Sequence, residues 1–463
     1  MRRRRRNDND KVIKIVAMSL CPLIAIYLGI SIYFMNHFFF GSTIYDVSVS
    51  GKTVKQAEEL VSDEISGYTL ELKGRNDVSE EIKGEDIGLQ YEQGDKIEKF
   101  KKSQNPFLWI TALFKKYNMG KEQLVSFNED SLKNILDKSP FFDKKNIVEP
   151  KNPKFEYSNG SFEIVDEEKG SEIDKDVLLE KVSEAVNNGN TVADLDELGC
   201  YKEPQYTKDS PEVVNVKSTL DKISKSKITY EFGDRNEALD GSTISQWLDV
   251  DDNMNVTVNE ASVRKYVESL ARNYNTYGNT RDFKTSSGNT IKVSGGNYGW
   301  IIDKAAETKE LSELVKQGEE TTREPVYSQE AVSRDQDDVG NTYVEIDMTR
   351  QHIWFYKNGS LIADGDVVTG NAANNWSTPV GTYRLNYKEK NATLKGENYA
   401  SEVNYWMPFN NNIGIHDAGW RDQFGGQIYL TNGSHGCVNA PYAVAQKIFE
   451  NIEAGTPIVC YYE

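Results

Sequence analysis

Cysteine and histidine are scarce in this chain, with four of each among 463 residues. No Cys-x-x-Cys pair occurs, which argues against a structural zinc site. Cysteines at 21, 200, 437 and 460 are too few and too scattered for a disulfide framework in a chain this long. A positive charge excess is missing as well. The formal net charge is −18, which speaks against nucleic-acid binding. The first 14 residues hold seven Lys/Arg and two Asp, a net of +5, so the remainder carries −18 − 5 = −23. Such acidity suits a module near positively charged or zwitterionic material, and equally suits solubility alone. What is present is core-forming: 38% hydrophobic residues, with 25 tyrosines and 18 phenylalanines, enough for two to four folded domains.

Ile15 to Met35 is a 21-residue stretch without charge. At about 1.5 Å per residue, a helix of that length matches the roughly 30 Å of a bilayer core. Arg2 to Arg6, Lys11 and Lys14 precede it, so that end is expected to stay in the cytoplasm. A cleaved signal peptide would have a shorter apolar region ending in a small-x-small site, whereas this stretch runs into Asn36-His37-Phe38-Phe39-Phe40. The expectation is a basic tail (1–14), a transmembrane helix (15–35) and a single-pass membrane protein exposed outside the cell from about Gly41. With Cys21 in the span, Cys200, Cys437 and Cys460 remain outside, an odd number. His37 reads as an interfacial side chain and His352, in Gln351-His352-Ile353-Trp354, as an ordinary strand residue.

Between Ser42 and Gly340 the chain echoes itself. Tyr68 to Leu72 runs into Lys83-Gly84-Glu85-Asp86-Ile87, and Ile228 to Phe232 runs into Asp240-Gly241-Ser242-Thr243-Ile244. Gly170-x-x-Ile173-Asp174 is matched by Gly299-x-x-Ile302-Asp303, each followed by helical periodicity. Two mixed α/β repeat-like modules are expected, at 43–200 and 210–318, then a polar linker at 319–340. From 341 the texture becomes that of strands. Tyr343 to Met348 alternates, Ile353 to Tyr356 follows, and Asn358-Gly359 suits a two-residue hairpin turn. Further short strands are expected at Asp366–Thr369, Gly381–Tyr387 and Pro457–Tyr461. One helix fits Val444, Ala445, Ile448, Phe449 and Ile452, with Pro441 near its start and Gly455 at its end. Residues 341–463 therefore read as a mostly-β sandwich with one packed helix.

Two of the four histidines fall between His416 and Tyr442, with Cys437 among them. Cys437 sits in Ser434-His435-Gly436-Cys437-x-Asn439, 21 positions after His416. A thiol attacks as thiolate, and its ordinary pKa near about 8.5 leaves it protonated at neutral pH. An imidazole that takes the proton removes that obstacle. Gly436 permits a tight turn and lets backbone N–H groups approach a developing oxyanion. The alternatives are a buried structural thiol or a metal site from His416, His435 and Cys437. The polar, glycine-flanked setting weighs against the first, and the lack of further ligands against the second.

These residues resemble the catalytic domain of the L,D-transpeptidases (the YkuD-type domain), enzymes that cross-link peptidoglycan. His416 and Ser434 through Asn439 match the family's histidine, gap and [Ser/Thr]-His-Gly-Cys-x-Asn. Ser377-Thr378-Pro379-Val380-Gly381-Thr382-Tyr383 looks like its Thr-Pro-x-Gly-x-aromatic segment. The two upstream units resemble, more loosely, the peptidoglycan-binding modules of membrane-anchored members. The resemblance implies Cys437 as nucleophile and His416 as base, with Ser434, His435 and Gly436 shaping the turn and oxyanion pocket. It also implies a thioester acyl-enzyme, release of the terminal D-alanine of a tetrapeptide stem, and inactivation by carbapenem-type β-lactams. Peptidoglycan stems serve as donor and acceptor, and no cofactor is implied. Asp417 departs from the glycine or serine of many members, and its carboxylate could orient His416 or simply face solvent. Asn439 reads as a helix-start or loop-fixing residue. The same site could work as a carboxypeptidase or wall hydrolase if water replaced the acceptor amine, or the chain could be an inactive wall-binding anchor. Sortases need an arginine soon after the cysteine, and none follows Cys437. Papain-like wall hydrolases place Cys before His, the reverse of this order.

Overall fold

A computed structural model of the chain describes residues 2–119, 124–335, 337–396 and 399–463. It divides into two compact units, one of residues 1–154 and 165–208, the other of 155–164 and 209–463.

In the first unit a helix runs from Arg2 to Asn36 with Pro22 inside it. The side chains of Arg2 to Arg6 and Lys11 lie outside the described residues. The expected membrane-spanning helix at 15–35, and with it the single-pass membrane location, is overturned. Among the described residues no helix is long and apolar enough to cross a membrane. Some side chains in the last turns of the Arg2–Asn36 helix are engaged with protein. Ser31 and Phe34 are fully buried. The Tyr27 hydroxyl donates to the Phe107 carbonyl, and the Tyr33 hydroxyl to the Gly51 carbonyl. The buried Lys101 ammonium donates to the Phe34 carbonyl at 2.8 Å, where a cation complements the negative end of the helix. His37 stacks on Tyr33 with ring centroids 3.9 Å apart.

The internal echo corresponds to a repeated topology. In the first unit Thr69–Lys73 is the central strand, antiparallel to Ser79–Lys83 and parallel to Val192–Asp194. In the second, Lys227–Phe232 is antiparallel to Arg235–Leu239 and parallel to Glu320–Arg323. The shared Ile-Asp pairs mark helix starts. Asp174 accepts from the N–H groups of Asp176 and Val177 ahead of the helix Lys175–Asn187, and Asp303 accepts from Ala305 and Ala306 ahead of Lys304–Gln317. A carboxylate at an N-cap satisfies amides that have no intrahelical partner. The segment 319–340, read from its composition as a linker, contributes the parallel strand Glu320–Arg323 and a second strand, Tyr327–Gln329. Its polar side chains make internal hydrogen bonds: Gln329 donates to the carbonyls of Asn297 and Gly299.

The C-terminal domain is built from two sheets. The first orders β1 (Tyr343–Asp347), β2 (His352–Lys357), β3 (Ser360–Asp366), β4 (Gly381–Arg384) and β9 (Pro457–Tyr461) as β3-β2-β1-β9-β4. The second orders β5 (Glu389–Gly396), β6 (Tyr399–Asn410), β7 (Ile413–Asp417) and β8 (Val438–Ala440) in sequence. Asn358 and Gly359 both have positive φ, 53° and 75°, as the tight turn between β2 and β3 requires. The helix Tyr442–Asn451 starts after Pro441 and buries Ala445, Ile448 and Phe449. These pack with Ile346, Ile353, Met407, Ile415 and Val438 in one core. The expected strand at Asp366–Thr369 is replaced by isolated bridges, Val368 to Asn439 and Gly370 to Ser434, which tie that segment to the edge of the second sheet.

Candidate active site

Strand β7 carries His416, and β8 begins one residue after Cys437. The two strands are parallel, with His416 opposite Asn439. Side chains alternate along a strand, so Asn439 and Cys437, two positions earlier, point to the face that His416 occupies. All three line one pocket of about 220 Å³. That volume accommodates one or two amino-acid residues rather than a whole stem peptide.

The imidazole is held tightly. Its Nδ1 lies 2.9 Å from the Asp417 backbone carbonyl, so Nδ1–H donates there and Nε2 is left as an acceptor. Trp406, directly opposite on β6, and Trp420 lie with ring centroids 5.9 and 5.8 Å from the imidazole. Burial in this setting lowers the His416 pKa, so the ring is neutral at pH 7. The Asp417 carboxylate neither reaches the imidazole nor faces solvent. It accepts the backbone N–H groups of Asn404 and Tyr405 and the Asn404 side-chain amide, each at 2.8 Å.

Cys437 is 8% exposed, and burial pushes its thiol up to about 11. The sulfur donates to the Asn412 carbonyl at 3.5 Å. The turn before it is fixed from within. Ser434 Oγ donates to the Cys437 carbonyl at 2.6 Å and accepts the Gly436 N–H at 3.0 Å. Gly436 has φ +115°, and a Cβ there would meet Ile413 at 3.0 Å. Because Ser434 engages the Gly436 amide, that N–H is already occupied in this state. His435 is exposed and stacks on Trp376, with centroids 4.1 Å apart. Asn439 lies within β8 and does not start a helix; Pro441 occupies the cap of the helix that follows. The Asn439 side-chain oxygen is buried without a hydrogen-bond partner.

Three residues that shape the site are not assigned to it from sequence, where Thr378 figures only as part of the Thr-Pro segment. Thr378 is buried and donates to the Gly436 carbonyl at 2.7 Å while accepting from the Gly370 N–H. Trp420 and Arg421 line the pocket from the turn after β7. Their signal was their nearness to His416 in His-Asp-Ala-Gly-Trp-Arg. Among the described residues no group of three His, Cys, Asp or Glu side chains is placed to hold a metal ion. His352 does not line the pocket and is paired with Asp366 at 2.7 Å and Asp364 at 3.3 Å.

The L,D-transpeptidase catalytic domain, of YkuD type, matches residues 341–460, and the peptidoglycan binding domain matches residues 80–194 and 209–323. Among solved structures, the Ldtfm–avibactam carbamoyl enzyme is 35% identical over 53% of this chain and 96% of its own, with a TM-score of 0.46. The chain belongs to the L,D-transpeptidase family. A cysteine-to-serine mutant of the Enterococcus faecium L,D-transpeptidase is likewise 35% identical, over 53% of this chain and 98% of its own (TM-score 0.46). The Enterococcus faecium catalytic domain acylated by ertapenem is 42% identical over 26% of this chain and 97% of its own (TM-score 0.25). No curated protein matches the chain. This L,D-transpeptidase family member thus places its catalytic domain after two peptidoglycan-binding domains.

Proposed function

We propose that this chain cross-links peptidoglycan at the cell wall through a thioester on Cys437, with His416 as the general base. The observation that carries the reading is the β7–β8 register. It sets imidazole and thiol on one face of one pocket, with Nδ1 tied back to the Asp417 carbonyl and Nε2 available.

In the resting site both partners are neutral, so the proton moves as the donor is attacked. Cys437 Sγ bonds to the carbonyl carbon of the third stem residue as its proton passes to His416 Nε2. The Cys437 N–H faces the resulting oxyanion, a donor worth on the order of 3 kcal/mol. Collapse breaks the carbon–nitrogen bond, His416 returns the proton to the leaving D-alanine amine, and a thioester remains. The side-chain amine of a second stem then attacks, forming the cross-link and restoring the thiol. A positioned base contributes about 10²–10⁴-fold to such a step. Acylation of the Enterococcus faecium catalytic domain by ertapenem supports a parallel reaction with carbapenem-type β-lactams, in which Cys437 opens the ring.

The test is incubation with a tetrapeptide-stem muropeptide and intact-mass analysis. An adduct on Cys437 is expected, lost in Cys437→Ala. His416→Ala should slow acylation by about 10²–10⁴-fold while His352→Ala stays near the parent rate. An adduct surviving in Cys437→Ala removes the mechanism. Trimmed tripeptides without dimers would assign the chain to carboxypeptidase chemistry instead.

A further inference from the structure

Arg421 stands out among the pocket residues because, among the described residues, no carboxylate pairs with it. It lies in the turn after β7, where its own N–H donates to the Ala418 carbonyl. It lines the same pocket as Cys437, His416 and Asn439. Its Nε is buried without a hydrogen-bond partner. Three other part-buried arginines are matched by carboxylates: Arg281 is bidentate to Asp338, Arg323 to Glu307, and Arg75 pairs with Asp196 and Glu203. Arg334 has no carboxylate but lies over the rings of Phe232, Trp300 and Tyr327 and donates to Tyr327, support that Arg421 lacks among the described residues. Partly burying a guanidinium without an anion is costly. An unanswered cation beside a nucleophile is suited to an anionic group that arrives with the substrate. Burial also lowers the Arg421 pKa, the direction expected of a cation without a counter-ion.

We infer that Arg421 binds the free carboxylate of the donor's terminal D-alanine and so selects stems that end one residue after the attacked carbonyl. The inference rests on the Cys437 reading above. That carboxylate is three bonds from the attacked carbon, and every other stem carboxylate is further along the chain. A pocket of about 220 Å³ that Cys437, His416 and Arg421 line together matches the short separation. The unpartnered Asn439 oxygen in the same pocket offers an acceptor for the scissile N–H. Donor and acceptor would thus bracket the leaving residue, making Arg421 a specificity-determining residue.

The experiment compares a tetrapeptide donor, its C-terminal carboxamide and a tetrapeptide amidated only at its other carboxyl groups. The full chain, Arg421→Met and Arg421→Lys are each followed by acylation of Cys437. The parent should prefer the free terminal acid over the carboxamide by about 10–100-fold in kcat/KM, the range of a charged hydrogen bond. Arg421→Met should bring that ratio to within about threefold of unity, with Arg421→Lys between. Amidation elsewhere should leave the preference standing; if it alone removes the preference, Arg421 reads another stem carboxylate and the assignment is wrong. Equal use of acid and carboxamide by the parent overturns it without any variant, and so does a preference that survives in Arg421→Met. Absence of acylation with every donor would instead overturn the Cys437 reading, and this inference with it.

Discussion

His416 and Asp417 are neighbours whose functional groups point in opposite directions. The Asp417 carbonyl accepts Nδ1–H of His416 at 2.9 Å, while its carboxylate gathers three N–H groups from Asn404 and Tyr405. A side-chain change at 417 therefore leaves the histidine's partner in place. Asp417→Ala strands buried amides and is expected to cost about 2–4 kcal/mol of stability, read as a lowered Tm. Its acylation rate, measured well below that Tm, should fall far less than that of His416→Ala.

Burial acts on thiol and imidazole in opposite senses, raising Cys437 to about 11 and lowering His416. Iodoacetamide should accordingly alkylate Cys437 in the resting enzyme about 100-fold more slowly at pH 7 than a thiol of ordinary pKa, and the rate should climb toward pH 11 without a plateau near neutrality. A fast neutral plateau would indicate a thiolate–imidazolium pair. The same shift has a stability sign. A folded thiol pKa raised from 9.0 to about 11 gives stabilisation that is complete below pH 9 and lost as pH rises toward 11. Cys437→Ala should flatten part of that alkaline loss in Tm.

The first sheet of the catalytic domain was open to reading because its residues follow simple rules. Asn358-Gly359 dictates its hairpin, and Pro457 to Tyr461 is an apolar run that became β9 in full. The second sheet, which holds the histidine, obeys none of them. Its edge strand β5, Glu389 to Gly396, is mostly exposed and polar, and β7 and β8 are only five and three residues long. Their strand character comes from pairing between distant segments, which periodicity does not register. The apolar stretch at 15–35 misled for another reason. Absence of charge over 21 residues is not the same as high hydropathy, and the described helix falls short of what a bilayer span requires, with Phe34 buried against protein. At the site, Cys437 and His416 are singled out from local chemistry and both line one pocket, whereas Arg421 acquires meaning only once its surroundings are visible.

Thr378 links the two sequence motifs. Its hydroxyl donates to the Gly436 carbonyl at 2.7 Å and accepts the Gly370 N–H at 3.1 Å, so the Thr-Pro segment fixes the turn that presents the cysteine. Thr378→Val keeps the shape and removes both bonds. A loss of about 1–3 kcal/mol is expected, together with slower acylation because the turn loses its anchor. Thr378→Ser, which retains the hydroxyl, should recover most of the acylation rate. Valine and serine variants acylating alike would show that the hydroxyl has no part in holding the turn.

Glu345 performs a comparable task on the opposite side of the first sheet. It is fully buried on β1, and its carboxylate accepts the Ser286 N–H at 2.7 Å, the Ser286 hydroxyl at 2.5 Å and the Tyr461 hydroxyl at 2.7 Å. Ser286 lies in the turn of the hairpin Arg281–Lys284/Thr290–Val293, which belongs to the second peptidoglycan-binding domain. Phe283 and Val293 of that hairpin pack with Val459 and Tyr461 of β9, so apolar contact and a buried acceptor act at one junction. Glu345→Ala leaves the Ser286 amide and the Tyr461 hydroxyl without their acceptor and is expected to lower stability by about 2–4 kcal/mol. Glu345→Gln retains an acceptor oxygen and should cost less. Hydrogen exchange distinguishes a local effect from a general one, because the Ser286 amide should lose protection in Glu345→Ala before the β1 amides do. Loss of protection throughout the domain at the same rate would show that Glu345 supports the sheet itself rather than its junction with the hairpin.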